Sequence, residues 1–232
     1  MTTTRCLTGS EPPVTAIDPE GDLLLYVGKG AHQKIFKVDT CALRRVSPIW
    51  NDMLFGGDRK ESMSANGERV LRLPSDQPEP MKMVMDIIHT NFTAIPKRLD
   101  LEPLYDLLTT TRKYEMIQIL RPFAPTWMDA VPQSTWSGDW ESAQQLIFTT
   151  CIAYELGDED RVQAQFEILC MKTGIDEDNN SLMLGDICIG DDESLSPQDF
   201  FGKRPCPLGF LLWSLFADWK SRVDCRGTSR DY

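Results

Sequence analysis

The side chains able to do chemistry are few. His32 and His89 are the only histidines, and acid–base or nucleophilic catalysis on either needs an orienting acid and a nucleophile beside it. No GxSxG nucleophile elbow occurs in the chain, so both imidazoles are expected to be structural. Residues 27–32 read V-G-K-G-A-H, two glycines around Lys29. A phosphate loop needs a different spacing and must open a helix, whereas this segment leads into an apolar strand pattern, so a turn is expected. Asp176, Asp178 and Asn180 alternate like the start of a calcium loop. Ser181 and Ile187 then stand where that loop needs its bending Gly and its closing Glu, and no tight calcium site is expected.

The cysteines follow the same logic. Cys151, Cys170, Cys188, Cys206 and Cys225 recur every 18 or 19 residues, but the apolar pattern between them does not recur in step, which argues against a repeat. No CxxC pair exists to impose tetrahedral geometry on zinc. Seven cysteines, an odd number without dense pairing, fit free thiols in a reducing compartment. No catalytic, cofactor-binding or metal-binding residue is therefore assigned.

The elements that would carry these residues fall into two parts. Residues 1–20, with Pro12, Pro13 and Pro19, read as a flexible leader. The run GDLLLYVG and the following KIFKV read as a hairpin of buried strands. Asp39 is placed to cap a short helix over CALRRV, and Ser47-Pro48 to stop it and open a second over IWNDMLF, ended by Gly56-Gly57. RVLRL reads as a third strand. Met81, Val84, Met85, Ile88 and Phe92 form one helical stripe, and Leu101, Leu104, Leu107, Leu108 and Tyr114 another. A further, proline-interrupted helix carries Met116, Ile117, Leu120, Phe123 and Trp127.

Prolines 122, 125 and 132 mark a boundary near residue 130. Beyond it, Trp140, Ala143, Ile147, Cys151 and Tyr154 form one helical stripe, and Val162, Phe166, Leu169 and Cys170 form a second. The GDED link between them implies an antiparallel helical hairpin. Residues 173–202 hold eight acidic and no basic side chains, expected to be a surface loop, and a last helix follows with Leu208, Leu211, Leu212, Leu215, Phe216 and Trp219 on its main face.

Charge separates the parts. The net charge of −11 belongs entirely to residues 129–232, with 8 basic and 19 acidic side chains, while residues 1–128 hold 16 of each. An acidic chain repels phosphate backbones, so nucleic acid is not the expected partner. The longest apolar run, from Pro207 to Ala217, is about half of the ~20 residues a membrane span needs. No apolar leader follows the first residues. The expectation is an intracellular protein, cytoplasmic or nuclear, neither secreted nor membrane-bound, whose two glycosylation sequons at Asn91 and Asn179 stay unmodified.

The residues GDLLLYVG, IFKVDTCALRRVSPIWNDMLFGG, VLRLPSDQPEPM, MVMDIIHTNF and DLEPLYDLLTTTRKYEM, in this order, resemble the BTB/POZ domain. Its most specific marks here are S-P-x-aromatic-x-x-M-L, Ser47 to Leu54, together with L-P-x-D, Leu73 to Asp76. The look is nearest to filamentous-fungal BTB-domain proteins with a short helical C-terminal region, and the resemblance covers about residues 20–172. It implies an α+β chain: a small three-stranded sheet capped by about five helices over residues 21–130, then an all-α region over 131–232.

The resemblance further implies a non-enzymatic protein–protein interaction module, a scaffold or adaptor that self-associates as a homodimer through the first two helices. Cys41, Arg45, Ile49, Trp50, Met53 and Phe55 are the interface residues this implies. The alternative is a substrate adaptor for a cullin-type ubiquitin ligase, for which the nearest match to the hydrophobic-x-Glu motif ends at Glu61, with Arg59 in the hydrophobic position. Asp39-Thr40 stands where many animal members carry His and a basic residue, so no basic partner is expected opposite Asp22. Phe210 and Trp213 lie off the main stripe of the last helix and are a second candidate surface. An enzyme is the third reading, and no residue set supplies its active site.

Overall fold

A computed structural model describes residues 12–57, 62–64, 66–131, 136–176 and 181–188. The chain is mixed α+β and divides into two compact units, Met1–Trp127 and Met128–Tyr232.

The first unit is built on a mixed sheet of five strands in the order β1-β3-β2-β5-β4. Strand β2 (Leu23–Val27) lies between β3 (Lys34–Val38), antiparallel to it, and β5 (Arg69–Leu73), parallel to it. All five residues of β2 are buried, which is why they read as an unbroken apolar run instead of an alternating one. The register pairs Leu25 with Phe36 and Leu71 on one face, while Leu24, Tyr26, Ile35 and Val70 cluster on the other.

The edges differ from the sequence expectation of three strands. Val14–Ala16 forms β1, parallel to β3, inside the segment read as a flexible leader, and Ser62–Met63 forms the short β4 beside β5. Every side chain of both is exposed. Peptide-group hydrogen bonds alone hold them, so no hydrophobic period announces them. Residues 1–11 lie outside the described residues.

Helix α1 (Thr40–Val46) begins where the Asp39 carboxylate accepts the N–H groups of Cys41 and Ala42, and α2 (Pro48–Phe55) where the Ser47 hydroxyl accepts that of Trp50. Helix α3 (Pro78–Ile88) buries Met81, Val84 and Met85. It stops a turn earlier than its stripe suggested. Phe92 sits in a separate 3-10 turn, 55% exposed, because the left-handed Thr90 breaks the helix first. Helix α4 (Leu101–Lys113) buries Leu104, Leu107 and Leu108, a 3-10 segment spans Ile117–Phe123, and α5 is Ala124–Ala130.

The second unit is not all-α. Helices α6 (Trp140–Leu156) and α7 (Glu159–Lys172) form the expected hairpin, closed by the left-handed Gly157. Behind them β6 (Thr173–Asp176), β7 (Ser181–Leu184) and β8 (Ile187–Cys188) make a small antiparallel sheet within the stretch read as an acidic loop. Leu184 anchors it, fully buried with Ala143, Leu146, Ile147 and Leu169. Strands of two to four residues are too short to show a period-two signal. Cys170, placed on the buried stripe of α7, is exposed, while Cys151 of α6 is buried. The last helix lies outside the described residues.

One polar pair is enclosed in this hairpin. Gln165 of α7 donates from its amide nitrogen to the Thr149 hydroxyl at 2.9 Å, while its buried amide oxygen has no hydrogen-bond partner among the described residues. Thr149 also donates to the Gln145 carbonyl oxygen at 2.8 Å and keeps that bond without Gln165. An orphaned buried carbonyl costs about 1–3 kcal/mol. Gln165→Leu is therefore expected to hold or raise the thermal midpoint, where most core substitutions lower it. A clear fall in a calorimetric scan contradicts this.

Candidate protein interface

The motif segments that carry the resemblance meet inside the first unit, on one residue. The Tyr114 ring stacks on Trp50 at 4.6 Å between centroids and 12° between planes, and its hydroxyl donates to Asp76 at 3.1 Å. The Ser47 hydroxyl donates to the Tyr114 carbonyl oxygen. Asp76 also accepts two hydrogen bonds from Lys113, at 2.7 and 2.8 Å. The S-P-x-W segment and the L-P-x-D segment are thus joined through the end of α4. Burial, then the Asp76 charge and hydrogen bond, push the Tyr114 hydroxyl far above its ordinary pKa.

This corrects one interface residue. Trp50 is fully buried, and its indole N–H is enclosed without an acceptor among the described residues. It belongs to the core because position 50 is the face of α2 turned to Tyr114. The other expected residues of these helices do reach the surface. Arg45 is exposed, with no ion pair among the described residues, while Cys41, Ile49 and Met53 are half-buried. Cys41 and Arg45 are one turn apart on α1, and Ile49 and Met53 one turn apart on α2. Glu61, Phe210 and Trp213 lie outside the described residues.

Phe55, at the end of α2, is 36% exposed although it is a large aromatic. Two guanidinium groups hold it: Arg44 at 5.2 Å and Arg69 at 5.8 Å from the ring centroid. Each such contact contributes about 0.5–1 kcal/mol at an exposed site. Neither arginine was expected here from the sequence.

Arg69 also supplies the basic partner that Asp22 was expected to lack. Its guanidinium lies 2.6 Å from the Asp22 carboxylate, which also accepts the Thr40 N–H and hydroxyl, both at 2.8 Å. The parallel register sets Leu23 beside Arg69, so the neighbour of Asp22 comes from a strand nearly fifty residues away in sequence. Desolvation raises the Asp22 carboxyl, but the Thr40 hydrogen bonds and the Arg69 charge outweigh it and leave its pKa lowered.

A carboxyl depressed in the folded state stabilises above its unfolded pKa, and that contribution disappears as pH falls through the folded value. Asp22→Asn is therefore expected to be less stable than the wild type near neutrality, with the gap closing below about pH 4. Urea midpoints measured across that range check it. A gap that stays constant with pH contradicts the assignment.

The two histidines sit at a helix end and in a surface turn. His89 caps α3: its Nε2 accepts the Asp39 N–H at 3.0 Å, which leaves Nδ1–H to donate to the Met85 carbonyl oxygen at 2.9 Å. His32 is exposed in the 3-10 turn Gly30–His32. Among the described residues no three metal-binding side chains come together, and no helix is long and apolar enough to cross a membrane.

What the α1–α2 surface offers is an exposed aromatic ring held between cations, beside half-buried apolar side chains. No family model matches this chain, and no curated protein matches it.

Proposed function

We propose that the chain is a non-enzymatic protein–protein interaction module of the BTB type that self-associates through the surface of α1 and α2. The observation carrying this reading is Phe55, a large aromatic side chain left 36% exposed beside Arg44 and Arg69. Aromatic and arginine side chains are enriched where protein surfaces meet. The element order supports the family: a hairpin, two short helices, a parallel strand, then two longer helices, with the two motif segments joined at Tyr114. Residues 1–128, with balanced charge, oppose self-association with little long-range repulsion.

Sedimentation velocity on the full chain over a concentration series tests it. The wild type is expected to form dimers, and the double variant Arg45→Glu, Phe55→Asp to remain monomeric with an unchanged circular dichroism spectrum. A wild type monomeric at the highest concentration, or a variant that dimerises equally well, overturns the reading.

A further inference from the structure

A second concave surface of the first unit combines apolar and acidic side chains. Between α3 and α4 runs an open trough of about 390 Å³, within the range of ligand-binding clefts. Pro80, Met83, Ala94 and Pro103 line it with apolar surface, and acids stand among them. Two of these acids are answered locally: Glu79 pairs with Lys34, and Asp86 with Lys82 at 2.7 Å.

Glu102 and Asp106 have no ion pair among the described residues. They stand one turn apart on α4, an arrangement in which like charges destabilise the helix. Glu102 lies in the first turn, where the helix dipole favours an acid. Asp106 lies beyond that turn and has no such support. Desolvation, then the neighbouring Glu102, push its carboxyl pKa up. The trough therefore holds uncompensated negative charge against an apolar lining.

We propose that the α3–α4 trough receives an arginine side chain from an extended segment of another protein. The guanidinium fork suits two neighbouring carboxylates, and it sheds water more readily than an ammonium group. The methylene stem lies along Pro80, Met83 and Pro103, as long cationic side chains do on apolar surface. A free polyamine or free arginine leaves much of that lining uncovered, so the occupant is a peptide segment. This site is separate from the α1–α2 surface, and neither proposal depends on the other.

The test is fluorescence anisotropy on the full chain with a labelled nonapeptide carrying one central arginine between leucine and proline. Sister peptides carry citrulline or glutamate in its place. The arginine peptide is expected to bind at least about tenfold more tightly than either, and more weakly as salt rises. Glu102→Gln with Asp106→Asn is expected to remove that preference while keeping or raising the thermal midpoint, since it relieves repulsion. Asp129→Asn, an exposed acid elsewhere, is expected to leave it intact. Equal binding of the citrulline peptide, undiminished binding by the double variant, or spermidine competing as strongly per molecule as the peptide each overturns the proposal.

Discussion

Replacing Tyr114 by alanine is expected to cost about 3–5 kcal/mol, a large share of the stability of an ordinary domain. The ring is 2% exposed and stacks on the fully buried Trp50, so its loss opens a cavity that two helices and a loop cannot easily close. The hydroxyl separates from the ring in a second variant. Tyr114→Phe keeps the stack and loses only the bond to Asp76, worth about 1.5–3 kcal/mol for a charged acceptor. The two variants also differ from the wild type in alkali. A tyrosine whose folded pKa is raised contributes stability that is intact below its ordinary value of about 10 and falls away as pH climbs beyond it. Tyr114→Phe is expected to lose that alkaline sensitivity while being less stable near neutrality. Urea unfolding at neutral and alkaline pH reads both effects. An alanine variant within about 1 kcal/mol of the wild type contradicts the role of this residue as the joint between the motif segments.

The second large effect is expected at Gly21. A methyl group there would lie 2.6 Å from the Val38 carbonyl carbon and oxygen and 2.9 Å from its nitrogen. These are backbone atoms of β3, which cannot rotate aside as a flexible side chain would. Gly21→Ala must push β3 away from the start of β2, at a cost of about 1–3 kcal/mol. The next residue is Asp22, so the same displacement loosens its bonds to Thr40 and Arg69. Two measurements follow: a lowered urea midpoint, and a smaller decline in stability on acidification than in the wild type. Gly30, where an added methyl group meets nothing within 4 Å but φ is +58°, gives a contrasting control through local strain alone.

Much of this fold is legible in the sequence wherever burial is periodic. Strand β2 announces itself as an unbroken apolar run, β3 and β5 as short apolar segments, and the stripes of α3, α4 and α6 because a hydrophobic face repeats at the helical period. The caps at Asp39 and Ser47 are legible because short polar side chains at helix starts have one local task. Segments whose order comes from elsewhere are not. Strands β1 and β4 have no buried face, and β7, four residues long with Leu184 in the core, is too short to show a period. Trp50 reads equally well as an interface aromatic or a core one. Only its position opposite Tyr114, sixty-odd residues away, decides for the core. Arg69 escaped notice for a related reason: strand register sets it beside Asp22, and register is a property of two segments together. The charge of RVLRL, with Arg69 leading a strand predicted to be buried, was the available signal.

The parallel strand β1 has a consequence for how this chain tolerates change. Val14, Thr15 and Ala16 are fixed by their peptide groups, with Ile17 and Asp18 donating their N–H groups to the Lys37 carbonyl oxygen, both at 3.1 Å. No side chain of the strand itself is buried. Any residue content with extended geometry serves equally well at these three positions, Pro aside. The segment can therefore accept substitution, or carry a fluorescent or spin label in the laboratory, while those of its amides that bond to β3 stay slow to exchange with deuterium. Order and freedom of sequence coexist there, because the bonds that impose the order are the ones every amino acid shares.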